Sequence, residues 1–213
     1  MTDSRRILFI INPISGLGLG KEVPEHIKKL PEYEHVVYDI EFTEYSGHAR
    51  KLVEDARLSG KYTHIVAVGG DGTVNEVGAA LCGSGIAFAV VSLGSGNGFA
   101  RHLGYSIFMS KALKQVLTEQ YVNIDVLQIN DRYSLNVSGV GFDAEVAHEF
   151  NHQKLRGVFS YIYAALKLWF RYPERKYKII SDGKAMKVSC FILSFANTSQ
   201  YGNNAYIAPH ASV

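Results

Sequence analysis

Three short runs, residues 7–11, 64–68 and 86–91, are apolar with almost no alternation, and each leads into a glycine-rich loop. A strand that reads apolar at nearly every position is covered on both faces, as happens in a parallel sheet held between helices. Residues 36–42 predict a further strand, and residues 21–30, 49–58, 74–81 and 107–117 carry apolar positions at helical spacing. Pro24 is tolerated in the first turn of the first of these helices, and Ser46 is expected to cap the second. Strand and helix therefore alternate, which predicts an α/β fold: an open, mostly parallel sheet with flanking helices. In such sheets ligands bind outside the carboxyl ends of the strands, beside a switch in strand order. Chain connectivity brings all three glycine loops to that one edge.

The loops are Asn12-Pro13-Ile14-Ser15-Gly16-Leu17-Gly18-Leu19-Gly20, then Gly69-Gly70-Asp71-Gly72-Thr73-Val74-Asn75-Glu76, then Ser92-Leu93-Gly94-Ser95-Gly96-Asn97-Gly98. Glycine removes the side chains that would keep a ligand away from the backbone, and amides at a helix N-terminus favour an anion. One such loop alone is as well explained by a tight turn; three converging loops predict a phosphate site. Two nucleotide motifs are excluded. A Walker A loop ending at Lys21 needs glycine where Ser15 stands and a hydroxyl where Glu22 stands, and neither Gly16 nor Gly18 opens a Gly-x-Gly-x-x-Gly fingerprint.

With 47% apolar and 20% charged residues the chain is neither a disordered tail nor a membrane bundle, and no run reaches the ~18 apolar residues of a spanning helix. A net charge of +2 gives no reason to expect nucleic acid; the basic residues are scattered apart from Arg171, Arg175, Lys176 and Lys178. Cys82 and Cys190 lie far apart in apolar contexts, which fits buried, reduced thiols in a cytoplasmic protein.

From about residue 121 the texture changes. Residues 122–129 and 133–138, joined by Asn130-Asp131-Arg132, predict a hairpin, and so do residues 178–181 and 185–195, joined through Asp182-Gly183. A second, antiparallel domain is expected, with residues 1–121 as the α/β domain and 122–213 as part of a β-sandwich. Between the hairpins residues 158–170 predict an aromatic-rich helix. Tyr161, Tyr163, Trp169 and Phe170 there suit core packing over a sheet, or otherwise a lipid cleft or membrane surface.

Taken together the motifs resemble the diacylglycerol kinase catalytic family, which includes sphingosine kinases and soluble bacterial lipid kinases. Asn12-Pro13-Ile14-Ser15-Gly16 is similar to N-P-x-[SG]-G, and Thr43-Glu44 with Gly47-His48-Ala49 to T-E-x-x-x-x-A. The run from Gly69 to Asn75 is similar to G-G-D-G-T-[LIV]-N, and Gly94-Ser95-Gly96-Asn97 to G-[TS]-x-N, with Phe99-Ala100-Arg101 also in agreement. Asn136-Val137-Ser138-Gly139-Val140-Gly141-Phe142-Asp143 is a weaker match to F-x-N-x-x-x-x-G-F-D. The resemblance implies an ATP-dependent kinase acting on a lipid hydroxyl at a membrane surface, with Mg2+ as its partner ion. The nucleotide contacts map onto Asn12, Pro13, Ser15, Gly16, Thr43, Gly69, Gly70, Asp71, Gly72, Thr73, Val74, Asn75, Gly94, Ser95, Gly96 and Asn97. Asp71 takes the catalytic position, facing Mg2+ or orienting the transferring phosphoryl. A glycine cradle suits phosphoryl transfer, which depends mainly on positioning and charge neutralisation. Plainer roles stay open: Asn75 as a turn cap, Thr43 as a strand end, and Asp125 and Asp143 as turn residues.

The chain departs from the family pattern at Ser92, Ser95 and Gly98, where proline, threonine and aspartate are usual. Ser95 keeps a hydroxyl, whereas Gly98 removes a carboxylate. The ending Ile207-Ala208-Pro209-His210-Ala211-Ser212-Val213 is similar to the start of A-P-x-A-x-x-D-D-G-x-L-D. In relatives, acidic residues for a structural Mg2+ and then the general base follow, so the expectation is a truncated enzyme that binds nucleotide weakly and does not turn over. Two rivals remain, an NAD kinase-like enzyme and a non-catalytic nucleotide- or lipid-binding module. A homodimer is compatible with either.

Overall fold

The computed structural model describes residues 5–142, 144–146 and 172–213. The aromatic segment 158–170, with Asp143 and Arg171, lies outside the described residues.

Four parallel strands, β1 (Arg6–Ile11), β2 (Val37–Phe42), β3 (His64–Gly69) and β4 (Ala87–Ser92), form a sheet in the order β2-β1-β3-β4. The chain leaves β1 first to one side and then to the other, so the switch in strand order falls between β1 and β3. Alternate residues of β1, β3 and β4 feed two separate cores, whereas β2, at the sheet edge, gives only Tyr38 and Ile40 to one of them. Leu8, Ile10, Ile65, Ala67 and Val90 pack with Ala49, Val53 and Ala56 of α2 (His48–Ser59) and with Val74, Val77 and Leu81 of α3 (Asp71–Leu81). Ile7, Phe9, Ile11, Val66, Val68 and Val91 pack on the other face with Val23 and Ile27 of α1 (Val23–Lys28). Ala112, Leu113 and Val116 of α5 (Met109–Val116) complete that core. Burial on both faces is why these strands read as apolar runs. Phe9 sits at the centre of an aromatic cluster with Tyr33 and Tyr38, and the Tyr33 hydroxyl donates to the Leu113 carbonyl at 2.7 Å.

Several boundaries differ from the sequence reading. α3 begins at Asp71, three residues before the apolar period that predicts it, so the glycine turn is itself the helix N-terminus. The helix expected over 21–30 is shorter, because residues 15–22 form tight 3-10 turns around left-handed Gly16, Leu17 and Gly18. Ser46 does not cap α2; Gly47 holds the N-cap with φ 94°, a left-handed turn that serine would adopt at a cost. Residues 122–126 form no strand, and only β5 (Leu127–Ile129) pairs with β6 (Arg132–Ser134).

The chain divides into two compact units that a single cut does not separate. One comprises Met1–Val137 together with Ala196–Val213, the other Ser138–Phe195. The family-like sandwich strands are β7 (Val137–Gly141) paired with β10 (Ile192–Ala196), and the antiparallel hairpin β8 (Arg175–Ser181) with β9 (Lys184–Cys190). An α/β domain with a mostly parallel sheet is thus followed by antiparallel, sandwich-like structure, as the sequence predicts. Both cysteines are free and half-buried.

Phe9→Ala should lower unfolding free energy by about 3–5 kcal/mol in urea titration, because it removes a fully buried ring from the second core. Tyr33→Phe should cost about 1 kcal/mol, the worth of one hydrogen bond.

Candidate active site

Parallel pairing puts the ends of β1, β2, β3 and β4 on one edge, and the loops that leave them are tied together by their backbones. Asn12 N donates to the Val68 carbonyl (2.9 Å), Thr43 N to Ile11 (2.8 Å) and Leu93 N to Gly69 (2.8 Å). The Asn12 side-chain amide reaches Thr73 Oγ1 at 3.3 Å, so the first and third of these loops share a polar contact over the switch point. Gly70 and Gly94 meet backbone to backbone: a β-carbon on Gly94 would lie 2.9 Å from the Gly70 α-carbon. Gly16 stands as close to the Leu93 carbonyl, where a β-carbon would come within 2.9 Å of the oxygen.

Asp71 joins the second and third glycine loops. Its Oδ2 accepts the Asn97 backbone N–H at 2.9 Å, its Oδ1 faces Asn136 Nδ2 at 3.4 Å, and the N–H groups of Gly98 and Phe99 also act on it. Burial pushes the Asp71 carboxyl above the usual aspartate range, and those backbone donors oppose the shift without cancelling it. Gly98 and Phe99 open the short helix α4 (Gly98–His102), so the carboxylate also serves that helix end. Asn97 itself is left-handed (φ 56°), and its side-chain amide donates to the Gly94 carbonyl at 2.8 Å.

The other predicted residues divide clearly. Ser95 and Gly72 are open to solvent, and Thr73 is buried with its hydroxyl beside Asn12. Pro13, Ser15 and Gly96 are partly exposed along the same loops. Thr43 ends β2, one strand out from the switch point. Val74 is core. Asn75 faces away from the loops: its Nδ2 donates to the Tyr133 carbonyl (3.2 Å) and its Oδ1 accepts from Leu135 N (2.9 Å), which fastens α3 to β6.

Sequence reasoning missed the segment that closes over the third loop. Asn203 N donates to the Gly96 carbonyl at 3.0 Å, and Asn97 bridges Gly202. Thr198 Oγ1 donates to Asn136 Oδ1, which commits that end of the Asn136 amide and turns its Nδ2 toward Asp71. His102 Nδ1 lies 3.0 Å from Ser199 Oγ. The available signal was Asn197-Thr198-Ser199-Gln200, a polar run directly after an apolar strand, and every one of these residues is buried. This segment also explains Gly98. A β-carbon there would lie 2.6 Å from the Tyr201 carbonyl oxygen and 2.7 Å from that of Gln200, so no aspartate fits.

Residues 6–129 match the family model for the diacylglycerol kinase catalytic domain, and residues 136–213 match that for the YegS C-terminal NAD kinase beta sandwich-like domain. The chain is 30% identical over 209 residues to a protein of Citrobacter koseri named "Probable lipid kinase YegS-like", covering 94% of this chain and 69% of that one. It is 28% identical over 222 residues to "Probable lipid kinase YegS" of Escherichia fergusonii, covering all of this chain and 72% of the relative. The crystal structure of a diacylglycerol kinase from Bacillus anthracis str. Sterne aligns with a TM-score of 0.68 at 26% identity, covering 92% of this chain and 65% of that one. The chain belongs to the diacylglycerol kinase catalytic domain family, a family of lipid kinases.

Gly98→Asp should destabilise the protein by about 1–3 kcal/mol in urea titration, because the new side chain has no space against two carbonyls. Asp71 sets a pH trend. Its folded pKa lies above the unfolded value, so its contribution to stability is complete below the unfolded pKa and is lost as pH rises through the folded one. The melting temperature of the wild type relative to Asp71→Asn should therefore rise as pH falls from neutral, and a flat difference would show that the carboxylate is not buried.

Proposed function

We propose that this chain carries the nucleotide site of an ATP-dependent lipid kinase, which transfers the γ-phosphoryl group to a hydroxyl of diacylglycerol, a sphingoid base or a related lipid at a membrane surface. The observation that carries this reading is the convergence of three glycine loops on the carboxyl ends of β1, β3 and β4, at the switch in strand order. α3 starts at Asp71 with no side-chain cap from Gly70; the Asp71 amide turns to its own carboxylate, which leaves the Gly72 and Thr73 amides of the first turn to meet a phosphate. The Thr73 and Ser95 hydroxyls and the Asn12 amide supply neutral donors around the same point. Asn12, Ser15, Gly16, Gly69, Gly70, Gly72, Gly94, Gly96 and Asn97 form or shape the cradle, with Thr43 at its edge.

In this reading Asp71 is a positioning residue rather than a base. Its oxygens are engaged by backbone donors, which fix the 94–98 loop against the start of α3. The described residues do not fit a protein-held Mg2+: among them no three acidic, histidine or cysteine side chains cluster, and the Asp71 carboxylate is already committed. Divalent metal would enter with the phosphates of ATP, as Mg2+ commonly does. Among the described residues no helix is long and apolar enough to cross a membrane, which suits an enzyme that meets its lipid from the aqueous side.

Labelled ATP offered with a lipid panel and with NAD to the full-length protein, whose general base the family pattern puts further along the chain, discriminates the reading. Label is expected on a lipid hydroxyl and none on NAD; label on NAD with no lipid product would overturn it. In a fluorescent-nucleotide displacement assay Thr73→Val should weaken ATP binding about 10- to 100-fold, the worth of a hydrogen bond to a charged group.

A further inference from the structure

We propose that the β8–β9 hairpin is a docking surface for an anionic phospholipid bilayer. The register pairs Lys176 with Ser189, Lys178 with Lys187, and Ile180 with Ala185, and cross-strand partners share a face. That face therefore carries Lys176, Lys178, Lys187 and Ile180, and all six of its residues are exposed. The half-buried residues Tyr177, Ile179, Val188 and Cys190 all fall on the opposite face, so the hairpin has one packed side and one free side.

The free side is electrostatically unfavourable as it stands. Lys178 and Lys187 sit directly opposite one another, an arrangement that costs stability unless an anion lies over it. None of the three lysines has an acidic partner among the described residues, whereas Arg175, on the packed face, is paired with Glu145 at 3.1 Å. From Arg175 to Cys190 there are five cations and one anion, Asp182, so the hairpin carries +4 in a chain whose total is +2. The remaining residues sum to −2. Positive charge is concentrated here; among the described residues Glu145 answers Arg175 on the packed face, and Glu174 accepts from Ser189 at the far end of the lysine face, away from Lys178 and Lys187.

The apolar component selects the partner. Ile180 is 63% exposed near the hairpin tip on the lysine face, beside Ala185. Lysines flanking an exposed aliphatic tip suit a bilayer, where charge meets lipid phosphates and the tip enters the headgroup region. Lysines can also guard open sheet edges against pairing with another chain. Glutamate would guard as well, so charge reversal separates that role from docking.

The surface gives the lipid-kinase reading its place of action and rests on it only for that purpose. Binding is measured by co-sedimentation with vesicles of phosphatidylcholine containing phosphatidylglycerol, against phosphatidylcholine alone, without nucleotide. Wild-type protein should bind the anionic vesicles only, and less tightly as salt rises. Lys178→Glu and Lys187→Glu each replace the repulsive pair by an ion pair, so each single variant should keep or raise the melting temperature. The double variant should return to the wild-type value. Vesicle affinity should instead fall at every step, by at least about fivefold per lysine and about 25-fold in the double variant. Ile180→Ser should lower affinity without changing its salt dependence. Affinity unchanged in the double variant, equal binding to both vesicle types, or equally tight binding to duplex DNA would each overturn the proposal. A full-length protein that binds these vesicles yet labels no lipid would sink the kinase reading alone. One that phosphorylates detergent-dispersed lipid but ignores vesicles would sink this one alone.

Discussion

The edge of the sheet where the loops meet depends on one half-buried carboxylate. Asp71 is the first residue of α3, yet its oxygens serve the loop after the next strand, through the Asn97, Gly98 and Phe99 amides. That exchange fixes the 94–98 loop against the 69–72 turn and caps a helix too short to hold its own end. Desolvation opposes the charge, and the backbone donors only partly offset it. A partly desolvated anion kept against that cost is a device for holding geometry rather than for adding stability.

Close approach is the second requirement, and glycine meets it. Gly94 against Gly70 and Gly98 against the Tyr201 carbonyl are contacts that a β-carbon would break. The Gly98 contact matters for the family comparison, because the carboxylate usual at that position is not simply missing. Its place is taken by main chain from residues 200 and 201, while Asn136 and Thr198 supply a side-chain relay to Asp71 from the same quarter.

Much of this was legible in the residues. The doubly covered strands announced themselves because Ile7 to Ile11 and Ile65 to Val68 feed two cores in turn, which leaves no position free to be polar. The three glycine loops could be placed on one edge from connectivity alone. Asn75 was not legible: its motif suggests a ligand contact, whereas its amide holds β6. Ser46 was misread because capping propensity ignores whether the chain must turn left-handed one residue later. The Asn197–Gln200 run was overlooked because polar residues after a strand ordinarily mean an exposed loop, and only tertiary contacts make these buried.

The sequence by itself determined which segments are strands, which loops carry glycine and where the helices fall, because periodicity and backbone freedom are local properties. It also determined the family, through motifs spaced along the first two-thirds of the chain. Only the tertiary structure decided that Asp71 faces amides instead of open solvent, that residues 196–213 return to the first compact unit, and that three lysines share one face of a hairpin. Those outcomes depend on which distant segments desolvate one another and in what register strands pair, and neither is encoded in any single stretch of residues.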